Sequence, residues 1–285
     1  MSRITLCGVS YSYGKKTPYE IKALDGINIE IADGKITGII GHTGSGKSTL
    51  VGAIGGLIEP DEGQVLIDGA DVWQNRKKIR EHRFRVGLVM QYPEYQLFEE
   101  TIRRDIAFGP RNMGLDDEEI EARVLEAAKF VELDESLLEK SPFELSGGEK
   151  RRAAIAGVIA MRPDVLVLDE PAAGLDPRGR AAIFRNIAEY KRATGKTVII
   201  VSHSMEDVAT YCDELVVMSG ARVIMHDTPN AVFSNPEFLV KNGLDLPQIS
   251  RLNMLLRARG IDLGEGIYTV EGAFERIIEL SQKNK

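Results

Sequence analysis

Gly41-His-Thr-Gly-Ser-Gly-Lys-Ser48 decides the fold of this chain. The octapeptide fits G-x-x-x-x-G-K-[ST]; Ile36 to Ile40 before it reads as a buried strand, and Leu50, Val51, Ile54 and Leu57 after it recur at helical spacing. A strand that enters a glycine loop and then opens a helix is built to hold phosphate. Glycines let backbone N–H groups wrap an anion closely, the helix start adds partial positive charge, and Lys47 reaches the β and γ oxygens. Ser48 is placed to ligate magnesium. Nucleotide binding is therefore expected at Gly41, His42, Thr43, Gly44, Ser45, Gly46, Lys47, Ser48 and Thr49.

Outward from the loop, strand and helix alternate. Ile27, Ile29 and Ile31 alternate with polar residues up to the turn Asp33-Gly34, Gly55-Gly56 and Pro60 close the first helix, and Val65 to Ile67 and Val86 to Met90 read as short strands. Asp116-Asp-Glu-Glu119 sets four acids at the positive end of a helix whose stripe is Ile120, Val124, Ala127, Ala128 and Val131. This marks a helical insertion. A helix from about 148 to 161 stops at Pro163, and Val165-Leu-Val-Leu168 follows as a continuous apolar strand of the parallel, doubly covered type. A helix over 178–193, a strand from Thr197 to Val201, a helix after His203 and a strand from Leu215 to Met218 repeat the pattern. Such alternation predicts an α/β fold with a parallel sheet layered by helices. Beyond Asn230 the pattern weakens into short helices, and Phe274, Ile277 and Ile278 mark a last amphipathic turn before a polar tail.

Composition narrows the function. The 285 residues are 43% hydrophobic and 28% charged, enough for one large core with a small appendage. Lys and Arg number 36 against 43 Asp and Glu, and a formal charge of -7 supplies no field to hold a nucleic-acid backbone. The two cysteines, Cys7 and Cys212, suit a reducing compartment. The apolar stretch at the start is too brief for a secretory signal, and no run reaches the roughly 18 apolar residues of a spanning helix. A cytoplasmic chain that meets a membrane only through a partner is expected. The basic cluster Arg76 to Arg85 reads as a solvated helix face.

Two further stretches carry chemistry. Asp169-Glu170 ends the apolar strand, so the strand's carboxyl end delivers two acids to the crevice where open α/β sheets bind ligands. Asp169 suits the magnesium shell, through water, while Glu170, turned by Pro171, suits a general base that deprotonates water for attack on the γ-phosphorus. Leu145-Ser-Gly-Gly-Glu149 opens a helix with a serine and two glycines, a second anion-accepting backbone site. Taken alone it also reads as a plain helix start capped by Ser146.

With these motifs in this order, the chain resembles the nucleotide-binding subunits of ABC transporters from about Arg3 to Asp227, through Gly41 to Thr49, Leu145 to Glu149, Val165 to Glu170 and His203. The resemblance implies a P-loop core with an N-terminal antiparallel β subdomain and a helical subdomain over about 92–162, together residues 1–229, and a small α-rich dimerisation appendage over 230–285. It implies two subunits facing head to tail, with ATP and magnesium between the glycine loop of one and Ser146, Gly147, Gly148 and Glu149 of the other. Tyr13 then matches the aromatic that stacks on adenine, Gln91 the loop glutamine that senses magnesium and the membrane partner, Asp176 the inter-subunit loop aspartate, and His203 the switch histidine at the γ-phosphate. Gln91, Lys47, Glu170 and His203 are the implied catalytic set, with Ser48, Gln91 and Asp169 at the metal.

Within the family, Gln91-Tyr-Pro-Glu-Tyr-Gln-Leu-Phe98 and Asp105-Ile-Ala-Phe-Gly-Pro110 resemble the energy-coupling factor importers and their cobalt-type relatives. Gly41-His-Thr-Gly44 with Ile155-Ala-Gly-Val158 is similar to the second of the two paralogous ATPases of such modules. The resemblance thus implies a heterodimer on the cytoplasmic face of the membrane, with a transmembrane scaffold and a substrate-binding membrane subunit, powering uptake of vitamins or transition-metal ions. Tyr92, Leu97 and Phe98 would line a groove for the scaffold's coupling helices, or else belong to the core. Another transporter class, or a soluble ATP-gated clamp on DNA or ribosomes, shares the motif set; one nucleotide domain, no long coiled coil and the negative charge speak against the clamp. Glu149 stands where the family usually has glutamine, and Ala172 where Thr or Ser is commoner. A carboxylate beside a triphosphate predicts slower hydrolysis at the site that Glu149 completes.

Overall fold

The computed structural model describes residues 3–264 and 266–283; Met1, Ser2 and the end of the expected polar tail, Asn284 and Lys285, lie outside the described residues. Among these, ten strands form two sheets: β1 (Ile4–Tyr13), β2 (Ile21–Ile31), β3 (Ile36–Gly41), β4 (Glu62–Ile67), β5 (Ala70–Asp71), β6 (Val86–Val89), β7 (Val165–Asp169), β8 (Thr197–Val201), β9 (Glu214–Ser219) and β10 (Arg222–Asp227). The smaller sheet is antiparallel, in the order β2-β1-β4-β5. The larger runs β10-β9-β3-β8-β7-β6 and is parallel except at its edge strand β10.

Successive side chains on a strand point to opposite faces, so the larger sheet feeds two apolar layers. Ile36, Ile40, Leu166, Leu168, Val198 and Ile200 share one buried cluster with Ile155 and Ile159 of helix Gly147–Ile159 and Ile183, Phe184 and Ile187 of helix Pro177–Thr194. Ile39, Val165, Val167, Ile199 and Val201 share the other with Leu6, Val9 and Leu24 of the antiparallel sheet and Leu50, Val51 and Ile54 of helix Lys47–Ile54. Each fully buried aliphatic side chain contributes about 1.5–3 kcal/mol.

Register places the site. Ile39 pairs with Val201, Val201 with Asp169, and Leu168 with Val89. The carboxyl ends of β3, β8, β7 and β6 are therefore level, and they deliver the glycine loop, His203, Asp169-Glu170 and Gln91 to one edge.

The helical insertion contains helices Ile102–Asn112, Asp117–Phe130 and Gly147–Ile159. Asp116 caps the second by accepting the Glu119 N–H at 2.9 Å, as the acidic run leads one to expect. The basic cluster is largely the exposed face expected, but part of it is engaged within the fold. His82 is buried with Nε2 2.9 Å from the Ile54 carbonyl, Arg83 donates twice to the Gly56 carbonyl, and Arg85 pairs with Asp68 and Asp164. His82 and Arg83 thus fasten helix Ile79–Arg85 to the end of the glycine-loop helix, where a cation meets the negative end of a helix dipole, while Arg76, Lys77, Lys78 and Arg80 stay exposed.

At the other end of the chain, Val232, Phe233, Leu239, Leu244 and Leu246 are buried in the first cluster. Residues just past the expected boundary at 229/230 thus pack into the main core. Further on, helices Gln248–Arg257 and Val270–Lys283 leave Leu255, Val270, Phe274, Ile277 and Ile278 exposed. Among the described residues no helix is long and apolar enough to cross a membrane.

Candidate functional site

The glycine loop leaves β3 and ends at Gly46, which precedes helix Lys47–Ile54 with φ 104° and no side-chain cap. A Cβ at Gly46 would lie 2.3 Å from the Ala23 carbonyl oxygen, so only glycine fits this approach. With no acid in its first turn and no capping side chain, the helix offers its first N–H groups to an anion. Lys47 is buried and donates to the carbonyls of Gly41 at 2.7 Å and His42 at 3.0 Å. Burial lowers its pKa, against the pull of Glu170 and Asp169.

A cleft of about 440 Å³ opens over this loop, within the usual size of ligand sites. Tyr13, Thr43, Gly44, Gly46, Lys47, Ser48, Thr49, Gln91, Asp169, Glu170 and His203 all line it. Tyr13 is half exposed, with its hydroxyl 3.3 Å from Thr49 Oγ1. Gly41 and Ser45 are buried and, like His42, which turns Nδ1 onto the Thr43 carbonyl, do not line the cleft.

Asp169 is buried, which raises its pKa, while a hydrogen bond from Ser48 and the charge of Lys47 act the other way. Ser48 and Asp169 together present oxygen donors without closing a shell. That donor chemistry fits a hard divalent cation whose remaining ligands are phosphate and water. Among the described residues no group of three or more His, Cys, Asp or Glu could hold a metal.

Glu170 adopts φ 51°, a strained conformation for a non-glycine residue and one that clusters at functional sites. Burial first, and then the neighbouring Asp169 charge, push its pKa up to about 7. His203 Nε2 stands 3.3 Å from Glu170 Oε1 without hydrogen-bond geometry, so this buried oxygen has no hydrogen-bond partner. Burial and Lys47 lower the His203 pKa, which keeps one ring N–H and one lone pair available.

The serine-diglycine segment contributes nothing to this cleft. Ser146 caps helix Gly147–Ile159, and Glu149 closes a capping box by accepting from the Ser146 N–H at 2.7 Å and hydroxyl at 2.6 Å. The Ser146 contacts lower the Glu149 pKa, so its carboxylate is charged and occupied. A Cβ at Gly147 would meet nothing within 4 Å, and at Gly148 only Arg152 at 3.9 Å. Among the described residues nothing requires glycine there. Asp176 caps helix Pro177–Thr194 by accepting the Gly179 N–H at 2.7 Å.

A second cleft, of about 430 Å³, is lined by Gln96, Leu97, Phe98, Phe108, Ala154, Val158 and Met161. Leu97 and Phe98 are where the groove was expected; Tyr92 does not line it, and both Tyr92 and Phe98 are exposed rather than core. Asp105, at the same cleft, is buried with Oδ2 unpartnered. Sequence reading noted Asp105 only within a family-like stretch, and missed the pair Arg180–Asp207 and a part-buried Arg151–Glu94 pair. Arg151 shares a helix face with Ile155 and Ile159, a spacing that marks it as buried within Lys150-Arg151-Arg152.

A family model described as ABC transporter matches residues 24–173. The energy-coupling factor transporter ATP-binding protein EcfA2 of Clostridium acetobutylicum is 50% identical over 283 residues, 99% of each chain, and that of Caldanaerobacter subterraneus is 48% identical over 97% of each. Among solved structures, cbiO1 from Clostridium perfringens, part of the ABC transporter complex cbiONQ, superposes with a TM-score of 0.75 at 40% identity, covering 87% of this chain and 97% of that one. A dimeric ATP-binding cassette in a post-hydrolysis state, bound to ADP and Pi, superposes with a TM-score of 0.72 at 28% identity over 79% of this chain and 98% of its own. The chain belongs to the ABC transporter family and, within it, to the ATP-binding proteins of energy-coupling factor transporters.

Proposed function

We propose that this chain is one of two paralogous ATP-hydrolysing subunits on the cytoplasmic face of a membrane, driving a transmembrane scaffold and a substrate-binding membrane subunit to import vitamins or transition-metal ions. The observation that carries the reading is the separation of two phosphate cradles: the loop cleft gathers Lys47, Ser48, Gln91, Asp169, Glu170 and His203, while Ser146 to Glu149 stand apart from it. Open space at Gly147 and Gly148 supports the close approach of a second molecule's nucleotide.

The loop N–H groups and Lys47 bind the phosphates, and Lys47 exchanges its two carbonyl contacts for phosphate oxygens. Tyr13 stacks on adenine. Ser48, with Gln91 and with Asp169 through water, would hold magnesium, which when bound offsets charge on the β and γ oxygens. Glu170 accepts a proton from the attacking water through its unpartnered Oε1, and a pKa near the working pH suits it to that transfer. His203 donates to the γ-phosphate, and Asp176 lies at the subunit boundary. Leu97 and Phe98 receive the scaffold's coupling helices in the second cleft, where Asp105 Oδ2 awaits a donor.

Affinity purification of the chain from detergent-solubilised membranes tests the assignment. Integral membrane proteins and a second ATP-binding subunit are the expected companions. Recovery of ribosomes or nucleic acid without any integral membrane protein overturns it.

A further inference from the structure

We propose that the pair of buried Arg151 with half-buried Glu94 is a positioning device that ties the second cleft to the turn carrying Glu170, so that the hydrolysis rate responds to what occupies that cleft. The inference rests on the proposed docking role of the cleft. Arg151 is 3% exposed, and its planar guanidinium joins three segments remote in sequence. Nε and Nη2 donate to the two Glu94 oxygens at 3.1 and 2.9 Å. Nη1 donates to the Ala173 carbonyl and reaches the Pro171 carbonyl at 3.5 Å.

Each segment lies at a working part of the molecule. Glu94 sits in the short helix Pro93–Gln96, between Gln91 in the loop cleft and Leu97 and Phe98 in the second cleft. Pro171 and Ala173 follow Glu170, whose strained φ of 51° depends on the turn that they form; the Ala173 N–H donates to the Glu170 carbonyl at 3.1 Å. Arg151 belongs to the helix that Ser146 caps and whose Ala154, Gly157 and Val158 line the second cleft. A displacement of helix Pro93–Gln96 therefore moves a rigid fork that holds the turn after Glu170.

The chemistry argues for a device rather than for glue. An apolar pair of similar volume would hold these segments at least as firmly, because desolvating two charges offsets most of their attraction. What a bidentate guanidinium adds is fixed geometry: both partners keep one relative orientation or lose several bonds together. Arg151 touches no reacting atom, so it is a positioning residue.

The complete complex, purified with its membrane partner and reconstituted in lipid vesicles, tests this with ATP as the probe. Glu94→Gln and Arg151→Lys each lower kcat by about tenfold, the size of an ordinary coupling between sites, with KM for ATP unchanged. Arg151→Met combined with Glu94→Leu gives the same loss at an unaltered unfolding temperature. Phe98→Ala in the second cleft slows the parent complex but adds nothing in the Arg151→Lys background, the non-additivity of a shared route. Wild-type kcat in Arg151→Lys, a fall in kcat matched by a fall in unfolding temperature in every variant, or full additivity with Phe98→Ala overturns the inference. A parent complex that Phe98→Ala leaves unaffected removes the docking role first, and the relay with it.

Discussion

At Glu170 one side chain meets two demands that conflict at neutral pH. Its folded pKa of about 7 lies above the ordinary 4.5, because burial and Asp169 disfavour the charged form. The activity of the free enzyme, read as kcat/KM, should therefore rise through an apparent pKa near 7, on the alkaline side of an ordinary carboxylate. For stability the sign is opposite. Between pH 4.5 and 7 the folded state keeps a proton that the unfolded chain has released, so stability falls as pH rises through that window. Glu170→Gln should lower turnover by about 10²–10⁴-fold, retain ATP binding, and melt above the parent at about pH 8 but not at about pH 4. Normal turnover by this variant in the reconstituted complex refutes the base assignment. Glu149 poses a different question, since its charged carboxylate already holds the Ser146 hydroxyl that a partner's nucleotide would need. Glu149→Gln keeps an acceptor for the capping box but removes the charge, so steady-state ATPase of the assembled pair should rise severalfold, by less than about tenfold. An unchanged rate ends the idea of a slow site.

Among elements, the glycine-loop helix is held at both ends: its start faces the cleft, and its end is clamped by His82 and Arg83 at the Ile54 and Gly56 carbonyls. Gly56 has φ 66°, and a Cβ there would come within 2.6 Å of the His82 ring. Gly56→Ala should cost about 2–4 kcal/mol, the sum of backbone strain and overpacking, which thermal unfolding would register as a clear fall in midpoint. A midpoint equal to the parent's would mean that the clamp yields freely. This element also marks what a sequence can disclose. The loop, the strand Val165–Asp169 and the cap at Asp116 were legible because their signals are local: a spacing, an apolar run, a capping side chain. β1 was not delimited, since register shifts between Leu6 and Val9 and again at Tyr11 break its alternation. β10 escaped because its apolar run, Val223 to Met225, is short, only half-buried and without period-two alternation. The Arg83 clamp and the Arg151–Glu94 pair join residues 27 and 57 positions apart, and only the folded backbone brings such partners together.

For the whole molecule, the decisive property is incompleteness. Lys47 and Ser146 occupy separate regions of one chain, so on the proposed reading a lone copy binds a triphosphate on one side only, and hydrolysis should depend on association. The outward apolar residues Phe274, Ile277 and Ile278 of helix Val270–Lys283 follow the i, i+3, i+4 spacing of a single face. Such a face, 42–65% exposed at these three positions, has the apolar character of a protein–protein contact. We propose that it strengthens pairing without touching the nucleotide. Replacing Phe274 and Ile278 together by Glu removes apolar contacts worth about 1–2 kcal/mol each, and so should raise the subunit concentration for half-maximal ATPase by about tenfold or more. The rate at saturating concentration should stay at the parent value, because neither residue approaches the clefts. Sedimentation velocity should report the weakened pairing directly. A lower saturating rate with pairing intact would instead connect this helix to the chemistry, and no change in either measurement would remove it from the interface.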